Sequence, residues 1–438
     1  MASDSAAILE RFRLAHGKDI DLTLRHAYAD LLARFDYPQD HLPPTMIVAG
    51  TNGKGSTCAF LRALVEASGH TAHVYTSPHL VRFHERIRIA GQLIAEAELA
   101  AILSEAEKLA EPGAVSIFEV ATAAALVAFS RHPADVTLLE VGLGGRLDAT
   151  NVVRHPIASL ITRLSFDHRE YLGDTMAEIA REKAGIMRAD TPCFSAPQPS
   201  NEALAALRAE AESNYVPLVI GGEDWRIEAV DAGHFRFLGP KRKIEMIPRP
   251  ALLGTHQLWN AGLALAAMDA LPFEITDDAV RQAMHAVAWP GRLQQLISGP
   301  LCDLLPSGWE LWLDGGHNDS AGEVLGAQLR RWQNQDHRPI DLVYGMLSTK
   351  TPQEFLAPLA PFVRRIRTVY IQGEVPGRTP EDLAAQAHAC GIADAAPATS
   401  PLAALQALSE IGARDPPPAR VLFCGSLYLV GAALKANG

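Results

Sequence analysis

Met46-Ile-Val-Ala-Gly-Thr-Asn-Gly-Lys-Gly-Ser-Thr57 joins an apolar run to a glycine-rich turn and then to a helical pattern opening at Ser56. Residues 46–49 read as a buried strand. A strand, a glycine turn and a helix N-terminus in this order make a phosphate cradle, because backbone N–H groups point at the ligand. The glycines allow close approach and positive φ. Lys54 adds a point charge for the outer phosphates, and Ser56 offers a hydroxyl that can reach Mg²⁺. The match to the generic P-loop is imperfect: Val48 stands where a glycine is usual, and Gly55 separates Lys54 from Ser56. The bland alternative is a tight strand–helix turn carrying a surface lysine.

Downstream stretches argue against that alternative. A strand over 71–75 delivers Thr76-Ser77-Pro78 to its C-terminal end, where ligands gather in open α/β sheets. Residues 136–141 form a buried run with Glu140 near its end. An acid there is costly unless paired or bound to a cation. Gly142-Leu-Gly-Gly-Arg-Leu-Asp-Ala-Thr-Asn151 follows, a loop able to lie against a ligand. The strand over 158–161 precedes Ser165-Phe-Asp-His168. Ser77, Glu140 and His168 thus sit at or just after strand ends near a phosphate loop, and can converge on one metal ion. The arginine-rich run 82–88 reads as a solvated, salt-bridged face.

Composition bounds the alternatives. A chain of 438 residues is too long for one ordinary core. A net charge of −11 argues against nucleic acid as a general partner. Cys58, Cys193, Cys302, Cys390 and Cys424 are scattered and odd in number, so neither a disulfide frame nor a zinc site is expected. No apolar run is long enough to span a membrane, and 1–18 lacks a signal core. The expectation is a cytoplasmic protein and, with no interface motif, a monomer.

Helices are expected over 5–16, 20–35, 96–110, 119–130 and 175–184. Short strands over 218–248 suggest a small β insert above the site. A helix over 254–271 carries Asn260, another spans 276–287, and Trp289-Pro-Gly-Arg292 breaks structure. The domain boundary is placed between 297 and 298. Beyond it, strands near 309–314, 340–345, 367–371 and 420–425 alternate with helices near 320–333, 353–364, 380–389, 401–411 and 427–435. Such alternation implies a parallel sheet with helices on both faces. The first of these strands feeds Asp314-Gly-Gly-His-Asn318.

In order and content, this series of motifs closely resembles the folylpolyglutamate synthase family, a branch of the Mur ligase superfamily, and within it the bifunctional members that also make dihydrofolate. The resemblance covers nearly the whole chain. It implies an α/β fold with a P-loop-containing, Mur-ligase-like ATPase domain over 1–297 and a smaller Rossmann-like domain over 298–438. It implies an ATP-dependent amide ligase using Mg²⁺, with dihydropteroate, reduced folates and L-glutamate as substrates and an acyl phosphate as intermediate. Carried over position by position, Gly53, Lys54, Gly55 and Ser56 match the phosphate loop, and Ser77, Glu140 and His168 match magnesium ligands. Lys183 sits where the family carries a carbamylated lysine. Asn260, Arg292 and Asp314 match ATP contacts, the last two implying that domain closure assembles the site. His317 falls near the phosphates or glutamate. Phe118-Glu119 and Leu147-Asp148-Ala149 match pterin-side segments, and Ile20-Asp21-Leu22 resembles an N-terminal dihydropteroate segment. Three positions depart from the family pattern: Asp319, Thr349-Lys350-Thr351 and Ala432.

Two narrower readings and one of a different class stand beside this. A monofunctional folylpolyglutamate synthase would lack the dihydropteroate reaction. A Mur-type amino-acid ligase would need a domain for a nucleotide tail, and the residues before 46 are too few. A non-catalytic nucleotide switch would not need so many polar sheet-end motifs.

Overall fold

The computed structural model describes residues 4–16, 26–373, 376–412 and 417–438. The expected Ile20-Asp21-Leu22 segment lies outside the described residues. The chain divides into two compact units. One comprises Met1–Ala251 with Gln257–Ala288, the other Leu252–His256 with Trp289–Gly438. The division falls before the boundary expected at 298, because Gln294–Leu296 already pairs antiparallel with Glu310–Leu313 of the second unit's sheet.

The first unit is built on eight strands: β1 Thr45–Ala49, β2 Ala72–Tyr75, β3 Ile87–Ile89, β4 Gln92–Leu93, β5 Val136–Glu140, β6 Ala158–Ile161, β7 Cys193–Ser195 and β8 Leu218–Ile220. Their order is β4-β3-β2-β5-β1-β6-β7-β8. All pairs from β2 to β8 are parallel, while β3 and β4 add an antiparallel edge. The strand β1 is central and wholly buried, which is why it reads as an unbroken apolar run rather than an alternating one. Helices Lys54–Ala67 and Ile117–Arg131 bury long alanine- and leucine-rich faces.

Three antiparallel strands, β9 Arg226–Ala229, β10 His234–Leu238 and β11 Lys243–Pro248, form the insert. The expected insert began at 218, but Leu218–Ile220 extends the main sheet beside β7. A three-residue strand carries the same pattern in either sheet; only its partner distinguishes them. The strand β7 and the helix Asn201–Ser213 had no counterpart in the sequence reading. That helix nonetheless has a Ser200 cap and an Ala203, Ala206, Leu207, Ala211 stripe at helical spacing.

The second unit holds a six-stranded sheet of β12 Gln294–Leu296, β13 Glu310–Leu313, β14 Ile340–Tyr344, β15 Val363–Thr368, β16 Asp394–Pro397 and β17 Arg420–Cys424. The order is β12-β13-β17-β14-β15-β16, parallel except at β12. The helix expected over 353–364 stops at Leu356, and β15 starts four residues earlier than expected. Pro358 and Pro361 interrupt that helix, since a proline ring clashes with the preceding turn and donates no hydrogen bond. Among the described residues no helix is long and apolar enough to cross a membrane.

Candidate active site

The turn after β1 leaves the sheet through Gly50, at φ +142°, and enters the helix through Gly53, at φ +95°. The helix starts at Lys54, two residues earlier than expected, so Lys54, Gly55 and Ser56 form its first turn. Gly53 can offer no side-chain cap. The first N–H groups of a helix lack intrahelical acceptors, so this end presents donors and the positive end of the dipole. Both glycines are required by close packing: a Cβ on Gly50 would stand 1.8 Å from Thr162 Oγ1, and one on Gly53 would stand 2.5 Å from Asn260 Oδ1. The N–H groups of Thr51 and Asn52 are tied to the Arg163 carbonyl, which fixes the turn on the end of β6.

Two amines meet beneath this turn. Lys54 Nζ donates to the Gly50 carbonyl at 3.0 Å and to the Thr51 carbonyl at 3.1 Å. Lys183 Nζ donates to the same Gly50 oxygen at 3.0 Å. Lys183 is buried, and its pKa is pushed down to about 7, first by burial and then by the Lys54 charge; Asp167, Asp148 and Glu182 pull the other way. One carbonyl thus anchors a charged amine and one poised between charged and neutral.

The helix Thr255–Ala267 closes a polar chain onto the turn. Asn260 Nδ2 donates to Gln257 Oε1 at 2.9 Å, and Gln257 Nε2 donates to Ser56 Oγ at 3.3 Å. Gln257 was not singled out from sequence; it lies one turn before Asn260 and shares its face.

Glu140 ends β5, is buried, and accepts the Ser77 N–H at 3.0 Å through Oε2. Ser77 follows β2 by two residues. His168 lies seven residues beyond β6, at φ 50° just before the short helix Arg169–Leu172. Its Nε2 is 3.9 Å from Asp167 Oδ1. Among the described residues no three His, Cys, Asp or Glu side chains are gathered as for a metal ion. Glu140 and Ser77, joined through the Ser77 N–H, offer a carboxylate and a hydroxyl, oxygen donors of the kind taken by Mg²⁺, an ion that keeps several waters and takes phosphate oxygens.

The loop 142–151 is held from within. Asp148 Oδ2 accepts the Gly142 and Leu143 N–H groups, and Oδ1 accepts the Thr150 N–H and hydroxyl. Burial raises the Asp148 pKa against these four bonds. Glu119 is likewise engaged locally, accepting the Ser116 N–H at 2.6 Å in a capping box. The Phe118 ring lies against Gly142, where a Cβ would meet it at 2.3 Å. Leu147 is half-buried and Ala149 buried. Sequence reasoning missed three companions. Tyr28 Oη donates to the Ala149 carbonyl at 3.0 Å, Thr122 Oγ1 lies 3.2 Å from Tyr75 Oη, and the Tyr75 and Phe118 rings are 6.3 Å apart. Thr122 had a usable signal, one helical turn after Phe118; Tyr28 had none.

The arginine run 82–88 is not a solvated face throughout. Arg86 is buried, donates from Nε to His79 Nδ1 at 3.0 Å and lies 4.9 Å over the Phe83 ring. Burial and the Arg86 charge lower the His79 pKa to about 4, so the imidazole accepts as a neutral ring.

In the second unit Asp314 follows β13 and is buried. Its Oδ2 accepts the Leu293 N–H at 2.9 Å and its Oδ1 the Gly316 N–H at 2.7 Å. Burial raises its pKa, opposed by the Arg292 charge and these bonds. Arg292 Nη1 donates to the Gly291 carbonyl at 3.1 Å, and a Cβ on Gly315 would meet that Nη1 at 2.7 Å. His317 Nδ1 is 2.9 Å from the Gly315 carbonyl. Of the three departures, Asp319 opens the helix Asp319–Asp336, Thr351 precedes the helix Pro352–Leu356, and Ala432 is exposed on the last helix.

Comparison with known proteins identifies the family. Residues 48–268 match the Mur ligase middle domain family, and residues 303–436 match the dihydrofolate synthetase C-terminal domain family. The dihydrofolate synthase/folylpolyglutamate synthase of Bacillus subtilis is 37% identical over 349 residues, covering 75% of this chain and 76% of that protein. The Escherichia coli structure solved with DHPP and ADP superposes with a TM-score of 0.87 at 31% identity, covering 99% of this chain and 97% of that one. A bifunctional folylpolyglutamate synthase/dihydrofolate synthase structure with Mn, AMPPNP and L-glutamate bound gives a TM-score of 0.83 at 28% identity, covering 100% of this chain and 99% of that one.

Proposed function

Because the chain belongs to the dihydrofolate synthase/folylpolyglutamate synthase family, we infer that it is an ATP-dependent ligase that joins L-glutamate to folate-type carboxylates. ATP is the co-substrate and Mg²⁺ the metal. We assign both acceptors, dihydropteroate to give dihydrofolate and the γ-carboxylate of reduced folates to extend the polyglutamate chain. The observation that carries this reading is the pair of lysine amines on the Gly50 carbonyl beneath a helix start that presents N–H donors.

A carboxylate is a poor electrophile until one oxygen becomes phosphate. The γ-phosphoryl group of ATP therefore passes to the acceptor carboxylate, the glutamate amine attacks the acyl phosphate, and phosphate leaves. Transfer of this kind depends mainly on positioning and on cations along the path. Gly53, Lys54, Gly55 and Ser56 hold the phosphates, with Asn260 beside them. Ser77, Glu140 and His168 would hold the metal, which would supply positive charge beside the transferring group. Lys183, poised near neutrality, has the amine form whose nitrogen adds to CO₂ and releases a proton to become a carbamate, placing an anion where the protonated lysine would put a cation. Phe118, Glu119, Leu147, Asp148 and Ala149 belong to the pterin side, where Glu119 and Asp148 shape the wall through their backbone bonds. Arg292 and Asp314 are the second unit's nucleotide contacts, and His317 serves the phosphate or glutamate. The division of labour is ATP chemistry in the first unit and glutamate ligation in the second, in a cytoplasmic monomer.

Product formation with ATP, Mg²⁺ and L-glutamate tests the reading, with dihydropteroate compared against tetrahydrofolate. Product from both is expected. Product from tetrahydrofolate alone makes the enzyme monofunctional, and product from neither overturns the assignment.

A further inference from the structure

The polar chain from Asn260 through Gln257 to Ser56 occupies one face of the helix Thr255–Ala267. The opposite side of that helix meets the β insert. Trp225, which leads into β9, is almost wholly buried at 1% exposure. Its ring lies 6.3 Å from the Trp259 ring on the helix and 6.3 Å from the Phe237 ring of β10. Gly262 takes the contact: a Cβ there would stand 2.6 Å from Trp225 Cζ3 and 3.0 Å from the Ile227 side chain of β9. Residues 259 and 262 are one turn apart on one face, as 257 and 260 are on another. The helix is therefore held between the insert's tryptophan and the phosphate loop.

Trp225 also has a feature that plain packing does not require. Its indole Nε1 is buried and makes no hydrogen bond. A buried donor without a partner is costly, so a phenyl ring would serve simple core filling without that cost. What tryptophan supplies here is reach across to the glycine at 262. Gly262 interrupts an otherwise alanine- and leucine-rich helix, where glycine is unfavourable relative to alanine. A small residue and a large ring thus meet where the insert bears on the helix that carries Asn260.

We propose that the β insert acts through Trp225 as a positioning element for the nucleotide: the ring seated on Gly262 sets how closely Asn260 and Gln257 approach Gly53 and Ser56. Trp225 acts through the helix. The inference rests on the reading of residues 50–57 as the ATP phosphate loop, and the test separates the two.

Titration of the full-length protein with ADP and Mg²⁺ by calorimetry reads binding without catalysis. Wild-type protein that fails to bind ADP overturns the phosphate-loop reading itself. With wild-type binding established, Trp225→Ala is expected to weaken ADP about tenfold or more. The KM for L-glutamate should stay within about twofold of wild type, and Trp225→Phe should fall between wild type and Trp225→Ala in ADP affinity. Gly262→Ala, which pushes a methyl into the ring, should weaken ADP as well, and it carries the test if Trp225→Ala does not fold. ADP affinity unchanged in a folded Trp225→Ala or Gly262→Ala variant overturns the proposal. So does an equal loss in the ADP and glutamate parameters, which is the signature of a merely structural role.

Discussion

Two loops of this molecule look alike on paper. Residues 50–53 and residues 314–318 each leave a buried parallel strand, pass through glycines and enter a helix. They differ in what occupies the helix start. The helix Lys54–Ala67 follows Gly53, which has no side chain to offer. The helix Asp319–Asp336 follows Asn318, whose Oδ1 accepts the Ala321 N–H at 3.0 Å. Asp314 likewise turns both oxygens onto backbone N–H groups of its own unit. The first loop ties its Thr51 and Asn52 N–H groups to Arg163 but leaves the helix start without a side-chain cap, so the donors there face an anion with two amines beneath them. The second uses its polar groups to hold its own shape. Strand–glycine–helix is therefore a frame, and capping distinguishes a phosphate cradle from a structural turn.

The strongest way to break this contrast is to remove the charges of the first loop. Lys54→Ala and Glu140→Ala should each lower the ligation rate by about 10³-fold or more, as expected when a cation or a metal-holding acid leaves a phosphoryl-transfer site. Circular dichroism should show both variants folded. Retention of most activity in either would sink the phosphate and metal assignment.

Lys183→Ala comes next. If the carbamate reading holds, activity falls by about 10²-fold and small carboxylates such as formate restore part of it; no rescue would remove the carbamate. The protein without metal or CO₂ gives a second readout. The native amine titrates near 7, whereas an unfolded lysine titrates near 10.5. Between those values the unfolded chain binds the extra proton, so this group makes stability rise with pH across that window. Below about 7 both states are protonated and the burial penalty is fully present. The pH dependence of the denaturation midpoint should lose this rise in Lys183→Met; parallel curves for the two proteins would contradict the buried, depressed amine.

Gly50→Ala sharpens the geometric side. The added Cβ meets Thr162 Oγ1 at 1.8 Å on a backbone at φ +142°. A loss of about 2–4 kcal/mol in stability is expected from overpacking combined with backbone strain. A denaturant midpoint near wild type would mean that the turn relaxes, and that its glycine is not dictated by the end of β6.

Much of this was readable from the chain because it is local. The strand–turn–helix over 46–57 depends on neighbours in sequence, and only the helix start moved, from Ser56 to Lys54. What escaped was non-local. Tyr28 reaches Ala149 across more than a hundred residues, and no periodicity near either announces it. Leu218–Ile220 was grouped with the insert because a short apolar strand does not name its sheet. The helix over 353–364 failed for a local reason: Pro358 and Pro361 were available as breakers and outweigh the apolar spacing. The arginines of 82–88 read as one charged run, yet Arg86 is set apart by burial against the Phe83 ring of the same run and the His79 imidazole seven residues before it, and spacing alone does not show that burial.

The smallest effect probes the second loop. Asn318→Ala removes the cap from the helix Asp319–Asp336 and should cost about 1 kcal/mol. Serine caps about as well as asparagine, so Asn318→Ser should recover most of that loss in a chemical denaturation series. Recovery would mean that the side chain acts through the Ala321 N–H, as a structural cap should. Failure of serine to recover stability, together with a change in the KM for glutamate, would give Asn318 a ligand-facing role. The second helix start would then stand nearer to the first than their caps suggest.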